Sequence, residues 1–167
     1  MHEYLTQAII LDREPQGELD ARVTFWSRKF GKMRGRATSL RKITSKLSAH
    51  LEPGMLSEVR LVENKNIQVV DALKLRRLAV SYADLPRLAR LLEHSEPDEE
   101  LWQAIAAEKW SWSAVLGALG WHPQEAACVL CGRRPEAFSV ASQEFFCELC
   151  ASKLPADTLI YIHNAAV

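Results

Sequence analysis

Apolar and polar positions alternate along the front of the chain. Tyr4-Leu5-Thr6-Gln7-Ala8-Ile9-Ile10-Leu11 is rich in large and β-branched residues and stops at Asp12, ahead of the turn-prone Glu14-Pro15-Gln16-Gly17. Arg22–Ser27 predicts a second strand, Phe30-Gly31-Lys32 a tight turn, and Met33–Thr38 a third strand. A period of two puts Met33, Gly35 and Ala37 on one face of that strand and Arg34, Arg36 and Thr38 on the other. After a polar loop over 39–48, Met55–Val62 and Asn66–Leu73 read as two more strands joined by the turn Asn64-Lys65-Asn66. In the first of these, Ser57, Val59 and Leu61 oppose Glu58, Arg60 and Val62.

Five short strands followed by helices predict an α+β chain whose front half is a small closed or partly open barrel. An OB-fold has five strands and binds nucleic acids across one face and its loops. The strand count is equally compatible with an SH3-like barrel or a small sandwich.

The period changes in the second half. Asp84 is placed to cap a helix with Pro86 in its first turn and Leu85, Leu88, Leu91 and Leu92 as its apolar stripe. Asp98-Glu99-Glu100 suits a helix start, with Leu101, Trp102, Ile105 and Ala106 on its buried side. Ser111–Leu119 reads as a third helix ending at Gly120. Trp102, Trp110, Trp112 and Trp121 are expected to pack within this helical layer. The boundary between the two patterns falls near residues 77–83, giving expected domains at 1–78 and 79–167.

Charge sharpens the division. The 167 residues carry 21 basic and 21 acidic side chains. Residues 1–78 hold 15 basic against 9 acidic, and residues 79–167 hold 6 against 12. Between Ala21 and Leu51 stand nine cations (Arg22, Arg28, Lys29, Lys32, Arg34, Arg36, Arg41, Lys42 and Lys46) and no Asp or Glu. A solvated face would need no such exclusion of acids, so we read the stretch as a surface for a polyanion's phosphates. Phe25, Trp26 and Phe30 are candidate base-stacking rings, although each also suits the core.

All four cysteines fall in one pattern, Cys128-Val129-Leu130-Cys131 and Cys147-Glu148-Leu149-Cys150, separated by fifteen residues. This is the spacing of a zinc site of two knuckles within a module at 126–152, with Gly132 available for a left-handed turn. Four thiolates leave no open coordination position, so Zn2+ would be structural. The segment between the knuckles, with Phe138-Ser139-Val140 and Glu144-Phe145-Phe146, is expected to form a hairpin. Two disulfides, a redox-active pair and a site that has lost its metal are the competing readings, the last disfavoured by four intact ligands. A missing secretory core disfavours the first, and the lack of a βαβ pattern disfavours the second.

No run approaches the roughly 20 apolar residues of a membrane span, and His2-Glu3 begins no secretory signal, so a cytoplasmic location is expected. The chain shows no phosphate-binding Gly loop, no His-Glu metal pair and no nucleophile elbow. The acids from Glu96 to Glu100 read as a helix start rather than catalytic groups, and no enzyme is expected.

The residues Tyr4–Leu11, Gly17–Thr24, Ser27–Ala37 and Leu51-Glu52-Pro53-Gly54, taken with the cysteine quartet, resemble the RecO family of bacterial DNA repair and recombination mediators. The resemblance implies an N-terminal OB-fold and a helical domain carrying a zinc module. It implies non-catalytic work in the bacterial cytoplasm and on the nucleoid. That work is binding single- and double-stranded DNA, annealing complementary strands, and helping RecA, with RecR, to replace single-strand-binding protein. Family members usually continue for several helices beyond the zinc module, including a pocket for the tail of single-strand-binding protein. Two other readings of the residues stand beside it: a scaffold whose basic loop takes an acidic peptide, and a zinc-stabilised RNA-binding module.

Overall fold

The structure is a computed structural model and describes residues 1–162; residues 163–167 of the expected second domain lie outside the described residues. Five strands, β1 (His2–Gln16), β2 (Asp20–Ser27), β3 (Gly31–Ala37), β4 (Met55–Glu63) and β5 (Ile67–Arg77), close a barrel in the order β1-β2-β3-β5-β4. All neighbours run antiparallel except β3 and β5, which meet in parallel at Arg36 and Gln68.

The alternation read from β3 is present. Gly35 and Ala37 are buried while Arg34, Arg36 and Thr38 are exposed. Ser57, Val59 and Leu61 of β4 likewise point inward. The barrel interior is filled by Ala8, Ile10, Val23, Phe25, Val59, Leu61 and Val69 with their neighbours. A Cβ at Gly35 would stand 3.0 Å from the Val69 side chain, so the missing side chain is what lets β3 approach β5 and shut the barrel.

Two strands are longer than the apolar pattern alone indicated. β1 passes a bulge between Ile10 and Asp12 and continues to Gln16, because backbone pairing with β2 persists after its side chains turn polar and its pairing with β4 has ended at Ile9. β5 runs to Arg77 with two register shifts against β4. The loop over 38–54 is pinned into the core by Leu40 and Leu51, both buried.

Beyond the barrel come α1 (Leu85–Leu91), a 3-10 turn at Leu92–His94, α2 (Glu99–Ala106) and α3 (Trp112–Ala118). Asp84 precedes α1 but does not cap it. Its carboxylate accepts a hydrogen bond from the Ser81 hydroxyl at 2.8 Å and lies 3.5 Å from Arg87, and its own backbone is already helical. Ser111 does cap α3, accepting from the Ala114 N–H at 3.2 Å. Trp102 and Trp112 are buried, whereas Trp110 and Trp121 are half-buried.

The chain divides into two compact units, Met1–Glu99 and Glu100–Val167. The first unit therefore reaches past the change in sequence period near residue 78 and takes in α1 and the 3-10 turn. Packing accounts for this: Leu85, Leu88 and Leu92 are buried, and Lys32 of β3 donates to the Ala89 carbonyl at 2.6 Å. In the second unit β6 (Ala137–Ser139), β7 (Glu144–Phe146) and β8 (Leu159–Tyr161) form a small sheet in the order β7-β6-β8, with the short α4 (Glu148–Ala151) beside it. The β6–β7 hairpin lies where the knuckle spacing placed it, while β8 and α4 are too short to leave a periodic signal.

Candidate nucleic-acid interface and metal centre

The nine cations of the acid-free stretch fall into three groups. Arg22 on β2 and Lys32, Arg34 and Arg36 on β3 share the outer face of one two-stranded ladder, in which Arg22 faces Arg36 and Thr24 faces Arg34. Arg28 and Lys29 belong to the turn at one end of that ladder, where Arg28 pairs with Glu99 and Lys29 donates to the Leu5 carbonyl at 2.9 Å. Arg41, Lys42 and Lys46 occupy the loop at the other end, where Arg41 holds the Gly17 and Glu18 carbonyls at 3.1 Å. Seven paired positions, about 20 Å of strand, separate the two ends. The nine side chains do not form one groove.

The acids missing from the stretch itself come from elsewhere. Glu93 pairs with Lys32 and lies 3.6 Å from Arg34, and Asp20 pairs with Arg36. These pairs hold both carboxyls below their ordinary range. For Glu93 the leading cause is the hydrogen bond from Lys32. For Asp20 it is the Ser39 backbone N–H, followed by Arg36. Lys32 is only 9% exposed and spans between the Ala89 carbonyl and Glu93, so it braces α1 against β3.

Two clefts adjoin on this face and share Arg22 and Arg34 in their walls. The larger, about 710 Å³, lies between β1–β3 and α1 and adds Arg90 from the helix. The smaller, about 450 Å³, reaches the β4–β5 turn and adds Arg36 and Lys65. Five exposed cations therefore line one continuous depression. Among the described residues Arg22, Lys65 and Arg90 form no ion pair. Lys65 and Arg90 lie outside the stretch that the sequence singled out, because only the fold brings a hairpin turn and a helix to the same face. Phe25 and Trp26 are buried in the barrel wall, and Phe30 packs edge-on against Tyr4 at 5.1 Å.

The four cysteines converge in the second unit. Their sulfurs all lie within 4.8 Å of one another, with Cys131 and Cys147 3.5 Å apart and Cys131 and Cys150 3.8 Å apart. A tetrahedral ion with ligands at about 2.3 Å requires sulfur–sulfur edges of about 3.8 Å, so the donor set fits a tetrahedral metal. All four thiols are unbridged. Gly132 turns the chain after the first knuckle with φ at 71°, and its N–H donates to the Cys128 carbonyl at 2.8 Å. Burial opposes the Cys128 thiolate, yet hydrogen bonds from the backbone of Cys147, Leu130 and Cys131 bring it down to about 6. Hydrogen bonding with the Cys147 sulfur, then burial, pushes Cys150 up to about 12. Four sulfurs at this separation resist full ionisation until a cation stands among them.

Residues 1–79 match the family model described as Recombination protein O N terminal. A protein of Bifidobacterium longum (strain DJO10A) named DNA repair protein RecO is 27% identical over 177 residues, covering 89% of this chain and 74% of its own. The first 79 residues of this chain are thus similar to the N-terminal part of the RecO family, and relatives of that name extend the likeness over most of the chain. A second relative of that name, from Heliobacterium modesticaldum, is 28% identical over 159 residues, covering 81% of this chain and 58% of its own. One from Cutibacterium acnes is 39% identical over 70 residues, 42% of this chain and 28% of its own. These names describe DNA repair and no catalysed reaction. Among the described residues, no helix is long and apolar enough to cross a membrane.

Proposed function

We propose that this RecO-like chain binds DNA by its phosphate backbone along the depression over β2 and β3. On this reading it serves as a non-catalytic mediator of repair. The observation that carries the reading is the convergence of Arg22, Arg34, Arg36, Lys65 and Arg90 on two adjoining clefts. The strand order and the placement of the cleft between β2, β3 and the β4–β5 turn support an OB-fold reading of the barrel, since that fold takes oligonucleotides on this face. A row of arginines with little base-edge chemistry neutralises phosphates and releases counterions without reading sequence. Such binding suits both single and double strands. It also suits annealing, in which two like-charged strands must be held together before they pair.

Assistance to RecA, contact with RecR, and displacement of single-strand-binding protein complete the proposed role, in the bacterial cytoplasm and on the nucleoid. Of the originally singled-out cations, Arg22, Arg34 and Arg36 carry the proposed contact; Arg28, Lys29, Arg41, Lys42 and Lys46 would at most extend it at the two ends of the ladder. Cys128, Cys131, Cys147 and Cys150 would hold Zn2+, which supplies a structural cross-link.

Charge reversal of Arg22 and Arg34, which line both clefts, tests the reading by electrophoretic mobility shift with single- and double-stranded oligonucleotides. Loss of both complexes supports it. Binding unchanged by the reversal, or unchanged between low and high salt, overturns it.

A further inference from the structure

The larger cleft contains one aromatic residue in its lining, Tyr82, which is 63% exposed. It is not loose. Tyr82 sits in the turn leading into α1, where the Asp84 N–H donates to the Ser81 hydroxyl at 3.2 Å. Arg77 donates to its phenol oxygen at 2.7 Å, with the guanidinium carbon 5.3 Å from the ring centroid. Arg77 is itself held by Glu52 at 3.1 Å. The ring is thus fixed at its hydroxyl end, while much of its surface remains open to the cleft.

An exposed aromatic ring held in one position offers a planar surface at little further cost in side-chain entropy. Arg22, Arg34 and Arg90 line the same cleft, together with the acids Asp12, Glu14 and Glu93. Cations alone do not distinguish strand types, because single strands and duplexes both present phosphates. A ring does distinguish them, because a base within a duplex already has its faces covered by its neighbours. An unpaired base can give one face to the protein. Of the rings the sequence offered, Phe25 and Trp26 are buried, and Phe30, 42% exposed, packs on Tyr4 and does not line the cleft, so the open ring in the cleft is Tyr82.

We propose that Tyr82 is a stacking platform for an unpaired base of single-stranded nucleic acid whose phosphates lie on Arg22, Arg34 and Arg90. The cleft thereby favours single strands over duplex. This rests on the phosphate-binding reading of the cleft given above.

The test compares three probes on the full chain by fluorescence anisotropy: an oligothymidylate of about a dozen nucleotides, an abasic strand of equal length, and a duplex. The abasic strand keeps every phosphate and lacks every base. Wild type should bind the oligothymidylate about fivefold or more tightly than the abasic strand. Tyr82→Leu should erase that difference while leaving abasic and duplex binding unchanged, and Tyr82→Phe should keep most of it. Four results overturn the proposal: equal wild-type affinity for the two strands, a difference surviving in Tyr82→Leu, an equal loss on both strands, or a loss in Tyr82→Phe as large as in Tyr82→Leu. The last would make the Arg77 contact the whole role of the residue. Charge reversal of Arg22 and Arg34 separates the two ideas, since binding that survives it removes the phosphate cleft whatever Tyr82 does.

Discussion

Asp12, Glu14 and Glu93 line the larger cleft beside its cations, and of these acids Glu93 pairs with two of the cations. It pairs with Lys32 and lies 3.6 Å from Arg34, and its side chain is 42% exposed. Glu93→Gln removes that charge while keeping the shape. Lys32 should stay in place, because the Ala89 carbonyl still accepts its hydrogen bond. Arg34, 59% exposed, loses its one ion-pair partner among the described residues and becomes available to a phosphate.

A phosphate seated on the far side of Arg34 would lie about 6 Å from the Glu93 carboxylate, where repulsion in water amounts to about 0.7 kcal/mol. Its removal should tighten single-strand binding about threefold at low salt, and more if Arg34 was previously withheld. Each phosphate contact contributes about 0.7 to the slope of log affinity against log salt for single strands. Wild type, with Arg34 withheld by Glu93, should show a slope between about −2, from the three unpaired cations, and about −2.8, with Arg36 added. The variant should be steeper than wild type by about 0.7. Its advantage should therefore shrink about 2.6-fold between 50 and 200 mM salt. Titration of an oligothymidylate at four or five salt concentrations measures both quantities. A variant with the wild-type slope and affinity would mean that Arg34 touches no phosphate, and the proposed path would be wrong.

Two further outcomes follow from the pairs and the thiols. Glu93 and Asp20 have carboxyls held below their ordinary 4.5 and 3.8, so their charged forms favour the folded state. Their contribution is complete above those ordinary values and is lost as pH falls through the lower folded ones. Thermal melts from pH 6 to pH 2 should show a decline that is shallower in Glu93→Gln with Asp20→Asn, and an identical decline would assign the acid sensitivity elsewhere. Cys131→Ser removes one of four ligands, and a structural zinc site is worth about 10–16 kcal/mol at neutral pH. Native mass spectrometry should find one zinc per wild-type chain and none in the variant. Proteolysis should then open the segment around Ala137, Phe146 and Leu159, whose small core includes Cys128 and Cys147, while residues 1–99 stay protected. A wild-type protein purified without chelators and free of zinc would remove the metal assignment.

The cysteine cluster was legible before any fold was known, because the candidate ligands are few and their spacing is local: two residues between sulfurs is a property of the chain itself. The barrel strands were legible for a related reason, since the inward Gly35 and Ala37 and the outward Arg34 and Arg36 differ by one position and a pleat turns that difference into two faces. The extensions of β1 to Gln16 and β5 to Arg77 were not legible, because backbone pairing with neighbours, not side-chain pattern, maintains them. The proposed interface was only half legible. Runs of positive charge can be counted along a chain, but neutralisation happens across space. Glu93, from a helix end some sixty residues away, occupies Lys32 and shadows Arg34, while Lys65 and Arg90 join the face from a hairpin and a helix that carry no basic run. Tyr82 likewise gains its role only where a turn, an arginine and a cleft meet. Local periodicity and ligand spacing are one-dimensional information; the pairing of charges and the exposure of a ring depend on distances that exist only after the chain has closed on itself.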